Sequence, residues 1–414
     1  MKITMKTHHQ NKSGILKPGL LIGFLAIITL FATRSVAQEK KYTAATIDSM
    51  IAGNMNASGM VGIGASIIID NKVVWKKGYG YADRDKKILF TTKTIMNVAS
   101  ISKTFTGVCV MKAVEEGKLS LDEDINTYLP FKVINPYFPD DKITLRNIGT
   151  HTSGLNDHEP TYMGSYFYGG DSPIALGDFL ESYFEPGGSR YSKDNFLPHR
   201  PGTYREYSNI AVGLAGYIVE RVTGMSLNEY SKKFIFNPLK MKNTGWLISQ
   251  INIKKHSRLY DKQGDTLKQI PINSVPTYPD GGIRTTVEEL SSYFIALLNN
   301  GEYGGKRILK ESSIDTMQRF QFTATNKPEN VDPAKLNSGL FWATKDKRTK
   351  IGYGGTDLGV KTEMLSDLNK EVAVILFTNT SLSEKDMFKY YFKVYDELWK
   401  YAVQLKEEKN HVLR

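Results

Sequence analysis

Cysteine is almost missing from this 414-residue chain: Cys109 stands alone. A single cysteine cannot close an internal disulfide, so an exported form must rest on its core. Cys109 also lies nine positions past Ser100, half a helical turn round from it, and reads as a small core hydrophobe rather than a nucleophile. Histidine is scarce as well. The seven are scattered and form no H-x-H or H-E-x-x-H arrangement, so a zinc site is not expected. Internal repeats and low-complexity tracts are absent. Lys and Arg outnumber Asp and Glu, 54 to 43, but no basic stripe with interleaved aromatics occurs, and nucleic acid is not expected as a partner. Past the first 37 residues no apolar run is long enough to span a bilayer.

Those first 37 residues have their own grammar. They carry Lys2, Lys6, Lys12 and Lys17 and no acid, then an uncharged run of 16 residues from Pro18 to Thr33, then Ser35 and Ala37 as a small-x-small pair. Basic, apolar, small is the pattern of a secretory signal. The expectation is export, to the periplasm or outside, with cleavage after Ala37 and no stable membrane span afterwards. An uncleaved anchor is the alternative. No cysteine lies near the cut, which excludes lipid attachment there.

The remaining chain, 38–414, is long enough for a large core of two packed lobes. "YTAATIDSMIAGNM" reads as a short helix. "VGIGASIIID" and "KVVWKKGYGYA" read as a hairpin turning at Asp70-Asn71. "GVKTEMLSD" and "EVAVILFTN" read as a second, turning at 368–370. From Ser383 to Lys409 apolar residues recur at three- and four-residue steps, as on a helix. The middle reads as helices and loops, including "SNIAVGLAGYIVERVTG" closed by Gly224 and "TVEELSSYFIALLNNG" closed by Gly301. Strands therefore come from both chain ends. The expected fold is α+β: one antiparallel sheet built from 38–99 and about 331–414, flanked by helices, with a mostly helical lobe, about 100–330, inserted between them. A cleft between the lobes is the expected site. The Gly-, Tyr- and Phe-rich stretch 156–205 either lines that cleft or forms ordinary surface loops.

"NVASISKTFTG", 97–107, sets Ser100 and Lys103 three apart at the head of a buried-looking helix, hence on one face. A serine hydroxyl needs a base to become a nucleophile. Burial disfavours the charged form of a lysine, which makes a base of it. Unpaired N–H groups at a helix start suit the charge that grows as serine attacks a carbonyl. Ser100 and Lys103 form the one S-x-x-K in the chain, and Gly107 and Val108 allow close packing of their helix. Tyr207 and Asn209, in the one Y-x-N, would face one site if the segment is extended. The tyrosine can share proton transfer and the asparagine can orient Lys103 or a substrate amide. The plainer alternative is a loop tyrosine followed by Asn as a helix cap. "GYGGTDLG", 352–359, precedes a strand; its glycines admit another backbone, and its edge N–H groups can face an oxyanion. A plain Gly-rich turn is the alternative there.

Taken in order, Ser100-x-x-Lys103, Tyr207-x-Asn209 and Tyr353-Gly354-Gly355 resemble the serine β-lactamase and penicillin-binding protein superfamily, on its class C-like branch. That branch includes D-Ala-D-Ala carboxypeptidases, D-aminopeptidases and β-lactamase-like esterases. "THTSGL", "NPLKMKNTGW" and "PDGGIRTTVEEL" agree, and the likeness covers about 45–400. The resemblance implies a β-lactamase/transpeptidase-like fold. It makes Ser100 the acylated nucleophile, with Lys103 and Tyr207 sharing acid and base work. Asn209 contacts substrate and Lys103, and the N–H groups of Ser100 and Thr356 form the oxyanion hole. It implies no metal or organic cofactor, and a small-molecule or peptide substrate. One position departs: the third motif usually opens with Lys or His (Trp in some esterases), and here it is Tyr353. A cation there helps bind a carboxylate, so the tyrosine weakens the β-lactamase and carboxypeptidase readings. Arg284 or Lys361 are the candidates to supply the charge. The expected function is an exported serine hydrolase of esters or amides. A β-lactamase or D-amino acid peptidase is the enzyme alternative, and an acylated sensor without turnover the alternative of another class.

Overall fold

A computed structural model describes residues 41–264 and 266–412; the expected signal segment, 1–37, lies outside the described residues. The helix α1 (Ala44–Ser58) opens the fold. Three strands follow: β1 (Gly62–Ile69), β2 (Lys72–Asp83) and β3 (Ile88–Leu89). Asp70 and Asn71 both take positive φ, 47° and 62°, which matches the twist of a two-residue hairpin. Then come α2 (Ser102–Glu115), α3 (Asn209–Thr223) and α4 (Val287–Leu298). The chain returns to the sheet as β4 (Ala343–Lys345), β5 (Lys350–Asp357), β6 (Val360–Asp367) and β7 (Val372–Thr378), and closes on α5 (Lys385–Val412).

These strands form one antiparallel sheet in the order β4-β5-β6-β7-β1-β2-β3, so its central pair, β1 with β7, joins the two chain ends. All eight residues of β1 and all seven of β7 are buried, because both sheet faces are covered. On one face Ile63, Ala65, Ile67 and Ile69 pack against α1 and α5. On the other Ile68, Ile375 and Phe377 meet the larger core that holds α2, α3 and α4. α2 is buried from Ser102 through Met111, the mark of a central helix, and its first turns carry the buried polar residues Ser102, Lys103, Thr104 and Thr106. At Gly107 a Cβ would come within 2.6 Å of Phe341, so the helix sits closer there than any side chain permits.

The inserted region is less purely helical than its periodicity suggests. It carries a hairpin, Leu259–Gln263 with Thr266–Ile270, and short pairs such as Phe167–Tyr168 with Asn273–Ser274. α4 ends at Leu298 rather than at Gly301; Asn299 caps it and Asn300 already has φ of 50°. Among the described residues no single helix is long and apolar enough to cross a membrane.

Candidate active site

Ser100 sits in a tight turn, Ala99–Ile101, that leads directly into α2. Ala99 holds a left-handed φ of 48°, and its N–H is bound by the Asn97 side chain. A non-glycine residue in that region is strained and persists only where its surroundings hold it. They do so here: the turn packs on β5, where a Cβ on Gly355 would lie 2.5 Å from the Val98 carbonyl and 2.9 Å from Ala99 Cβ. Thr362 Oγ1 ties the same carbonyl at 3.0 Å.

Lys103 is fully buried, yet its end is in polar company. Nζ donates to Ser100 Oγ at 3.1 Å, Asn209 Oδ1 at 2.7 Å and the Asp280 carbonyl at 2.7 Å. Three oxygens within hydrogen-bond distance fix the amino group in place: the stem is in the core and the nitrogen is in a polar nest. On the other side of Ser100, Tyr207 donates from its hydroxyl to Oγ at 2.8 Å. Burial pushes the Tyr207 phenol up, partly offset by its bond to Ser100. A hydroxyl flanked this way can pass its proton to the amine, and its alkoxide is met by donors on both sides.

Tyr207 and Asn209 converge on one site across an extended Ser208, φ −134° and ψ 124°. Ser208 is the N-cap of α3 and Asn209 is its first residue. Ser, not Asn, is therefore the cap. Asp157 fixes the arrangement. Its carboxylate accepts from Ser208 Oγ (2.7 Å), Asn209 N (2.8 Å), Asn209 Nδ2 (2.9 Å) and Ile210 N (2.9 Å). A carboxylate at a helix start satisfies free N–H groups and the dipole together. By holding the amide nitrogen of Asn209 it leaves the amide oxygen for Lys103.

The cleft beside Ser100 has a volume of about 330 Å³. Tyr353, Gly354 and Thr356 of β5 line it with Tyr207 and Asn209, and Gly355 packs beneath. Tyr353 is buried, and its hydroxyl meets His151 Nε2 at 3.0 Å. Tyr162 and Tyr166, from the 156–205 stretch, line the cleft and bond Asp280 (3.1 Å) and Asp357 (2.9 Å). Burial raises the Asp280 carboxyl to about 6, against the pull of Lys103.

Of the two candidate cations, Arg284 is spent elsewhere: its guanidinium donates to the Gly282, Asn273 and Trp246 carbonyls. Lys361 does line the cleft, paired with Glu363 at 2.6 Å, and Lys345 lines it too. Cys109 is bonded to Ser231 at 3.2 Å, and burial pushes its thiol up to about 12, far from a thiolate at neutral pH. Among the described residues no three His, Cys, Asp or Glu side chains cluster as metal ligands. Asp157, His151, Asp280 and Lys345 escaped the sequence reading, although His151 and Asp280 lie within the quoted "THTSGL" and "PDGGIRTTVEEL".

A sheet closed by both chain ends, with a Ser-Lys-Tyr cluster beside β5, points to the class of β-lactamase-fold proteins. The family model described as Beta-lactamase matches residues 47–394, and the chain belongs to that family. Protein flp of Staphylococcus aureus (strain MW2) is 27% identical over 340 residues, 80% of this chain and 62% of that protein. The chain spans about half to two thirds of the curated relatives it matches. Among solved structures, the D-amino acid amidase of Ochrobactrum anthropi SV3, complexed with L-phenylalanine amide, superposes with a TM-score of 0.65 at 21% identity, over 88% of this chain and 99% of its own. EstCE1, a hydrolase with promiscuous acyltransferase activity, gives 0.65 at 19%, over 86% and 99%.

Proposed function

We propose that this chain is an exported serine hydrolase that cleaves an ester or amide through a covalent acyl-enzyme on Ser100. The observation that carries it is the position of Ser100 Oγ, 3.1 Å from Lys103 Nζ and 2.8 Å from the Tyr207 hydroxyl. Lys103, as the free amine, takes the Ser100 proton during attack, and Tyr207 gives its own to the leaving group. The N–H groups of Ser100 and Thr356 receive the oxyanion. Asn209 holds Lys103 and reads a substrate amide. The activities of the structural neighbours, amidase and hydrolase with promiscuous acyltransferase activity, support this chemistry at the level of reaction type.

Tyr353 supports an ester or uncharged amide over a β-lactam, because its hydroxyl is neutral and turned to His151. A second reading, a β-lactamase or D-amino acid peptidase, is favoured by Lys345 and Lys361 at the cleft, where they can meet a substrate carboxylate. The test is hydrolysis of a small activated ester and of a chromogenic β-lactam by wild type and Ser100→Ala. Turnover of the ester that disappears in the variant supports the reading. Turnover that survives Ser100→Ala overturns it, and faster turnover of the β-lactam moves the substrate to the second reading.

A further inference from the structure

His151 touches neither Lys103 nor Ser100, yet it is buried at a left-handed φ of 59° against the ring of Tyr207, 4.4 Å centroid to centroid. Its two nitrogens have different partners. Nδ1 receives the Ser208 N–H at 3.3 Å, and Nε2 faces the Tyr353 hydroxyl at 3.0 Å. A backbone N–H can only donate. In a neutral ring Nδ1 is then the acceptor, and Nε2 carries the hydrogen and gives it to Tyr353. The ring is neutral: burial, reinforced by Arg205 and Lys103, holds it well below the usual histidine range. Tyr353, its oxygen occupied by His151, has one hydrogen left to give, and it shares the cleft wall with Tyr207, whose ring lies against the same histidine. Tyr207 in turn donates to Ser100. The Ser208 and His151 hydrogens thus run toward Tyr353, and the Tyr207 hydrogen runs to Ser100.

We propose that His151 and Tyr353 are positioning residues, a neutral relay of donors that steadies Tyr207 when it loses its proton to the leaving group. The proposal rests on the Ser100 acyl-enzyme reading. In acylation the Ser100 proton goes to the Lys103 amine. The bond from the carbonyl carbon to the leaving oxygen then breaks, and that oxygen takes the Tyr207 proton. The phenolate left behind faces the Tyr353 O–H, which His151 holds in that direction. In deacylation the attacking water gives its proton to the Tyr207 phenolate, and Lys103 returns its own to Ser100 Oγ. Ester and water become acid and alcohol, and both side chains are restored.

The relay matters only when the leaving group needs a proton. A p-nitrophenolate leaves without one, and an alkoxide does not. The experiment compares kcat/KM for an alkyl and a p-nitrophenyl ester of one acid, in wild type, Tyr353→Phe and His151→Gln. Labelling of Ser100 by a fluorophosphonate, whose fluoride needs no proton, is the control. Tyr353→Phe is expected to lower the alkyl ester rate ~30-fold or more and the aryl ester rate less than ~3-fold, with labelling unchanged. His151→Gln is expected to show the same bias, weaker. Equal losses on both esters, no loss on either, or a labelled wild type that cleaves no alkyl ester overturns the relay and leaves the acyl-enzyme reading standing. A wild type in which Ser100 takes no label overturns both.

Discussion

The two faces of the sheet bury side chains of different kinds. Toward α1 and α5 the contacts are mostly apolar: Ile47, Ile51, Ile67, Val374, Tyr391 and Leu398 form one cluster, with the Lys361–Glu363 pair against the α5 rings Tyr391 and Phe392. Toward α2 and α3 the core is larger, and it surrounds Lys103, His151, Asp280 and Thr285, polar groups nearly or wholly withdrawn from water. A buried polar group is costly unless it is bonded, so it is kept where each hydrogen finds an acceptor. Lys103, with three acceptors, meets that condition. One face is mostly apolar, and the other holds the polar groups around Ser100 in place.

That contrast breaks first at Ser100. Ser100→Ala is expected to lose at least ~1,000-fold in ester kcat/KM while its thermal midpoint stays within ~2 °C of wild type. Lys103→Met comes next, with a ~100- to 1,000-fold loss in kcat measured on the same ester. An acylation rate within a few-fold of wild type would remove Lys103 from the base role. The converse experiment is Leu398→Ala, on the apolar face. It is expected to cost about 2–5 kcal/mol in denaturant unfolding and to leave kcat/KM within ~2-fold at temperatures where the variant is folded. Asp157→Asn should fall between the two classes. It weakens four bonds at the start of α3 and loosens Asn209, so a modest fall in both kcat, ~10-fold, and stability, about 1–3 kcal/mol, is expected.

The smallest effect concerns Asp280. Its carboxyl is raised by burial from 3.8 to about 6, so the folded protein holds a proton there that the unfolded chain has lost between those pH values. Stability from this group is therefore full below pH 4 and falls as pH rises through 6. Asp280→Asn removes the dependence. The variant is expected to gain on wild type in thermal midpoint at pH 7.5, and the gain should shrink as the pH is lowered to 5. A gain that grows on acidification would reverse the assignment.

The hairpins, the long helices and the antiparallel sheet were legible because each repeats a local period, and β1 with its Asp70-Asn71 turn is a plain case. Ser100, Lys103 and Tyr207 were legible because the spacing of short motifs carries chemistry. The supporting groups were not. Asp157 acts on Asn209 across 52 positions and Asp280 on Lys103 across 177, from loops without periodicity. Ser208 is extended and is also the helix cap, a favoured place for a serine before "NIAVGLAG", which moves the cap from Asn209. Tyr353 in place of a cation is plain in the sequence, but the histidine that bonds its hydroxyl lies 202 positions away.

The pairing of β1 with β7 also sets an order of events. The Val61 N–H reaches the Thr380 hydroxyl across 319 positions, and the first strand finds its central neighbour only when β7 has been made. During synthesis the hairpin of β1 and β2 emerges early, with one apolar edge open while the ribosome adds nearly all the rest. Such an edge invites pairing with other chains. The edge is covered only when β7 pairs with it, so the last strand, not the first, commits the molecule to its fold. Until then Ser100 is an ordinary serine: the lysine nest, the tyrosine and the glycine strand reach it only at assembly.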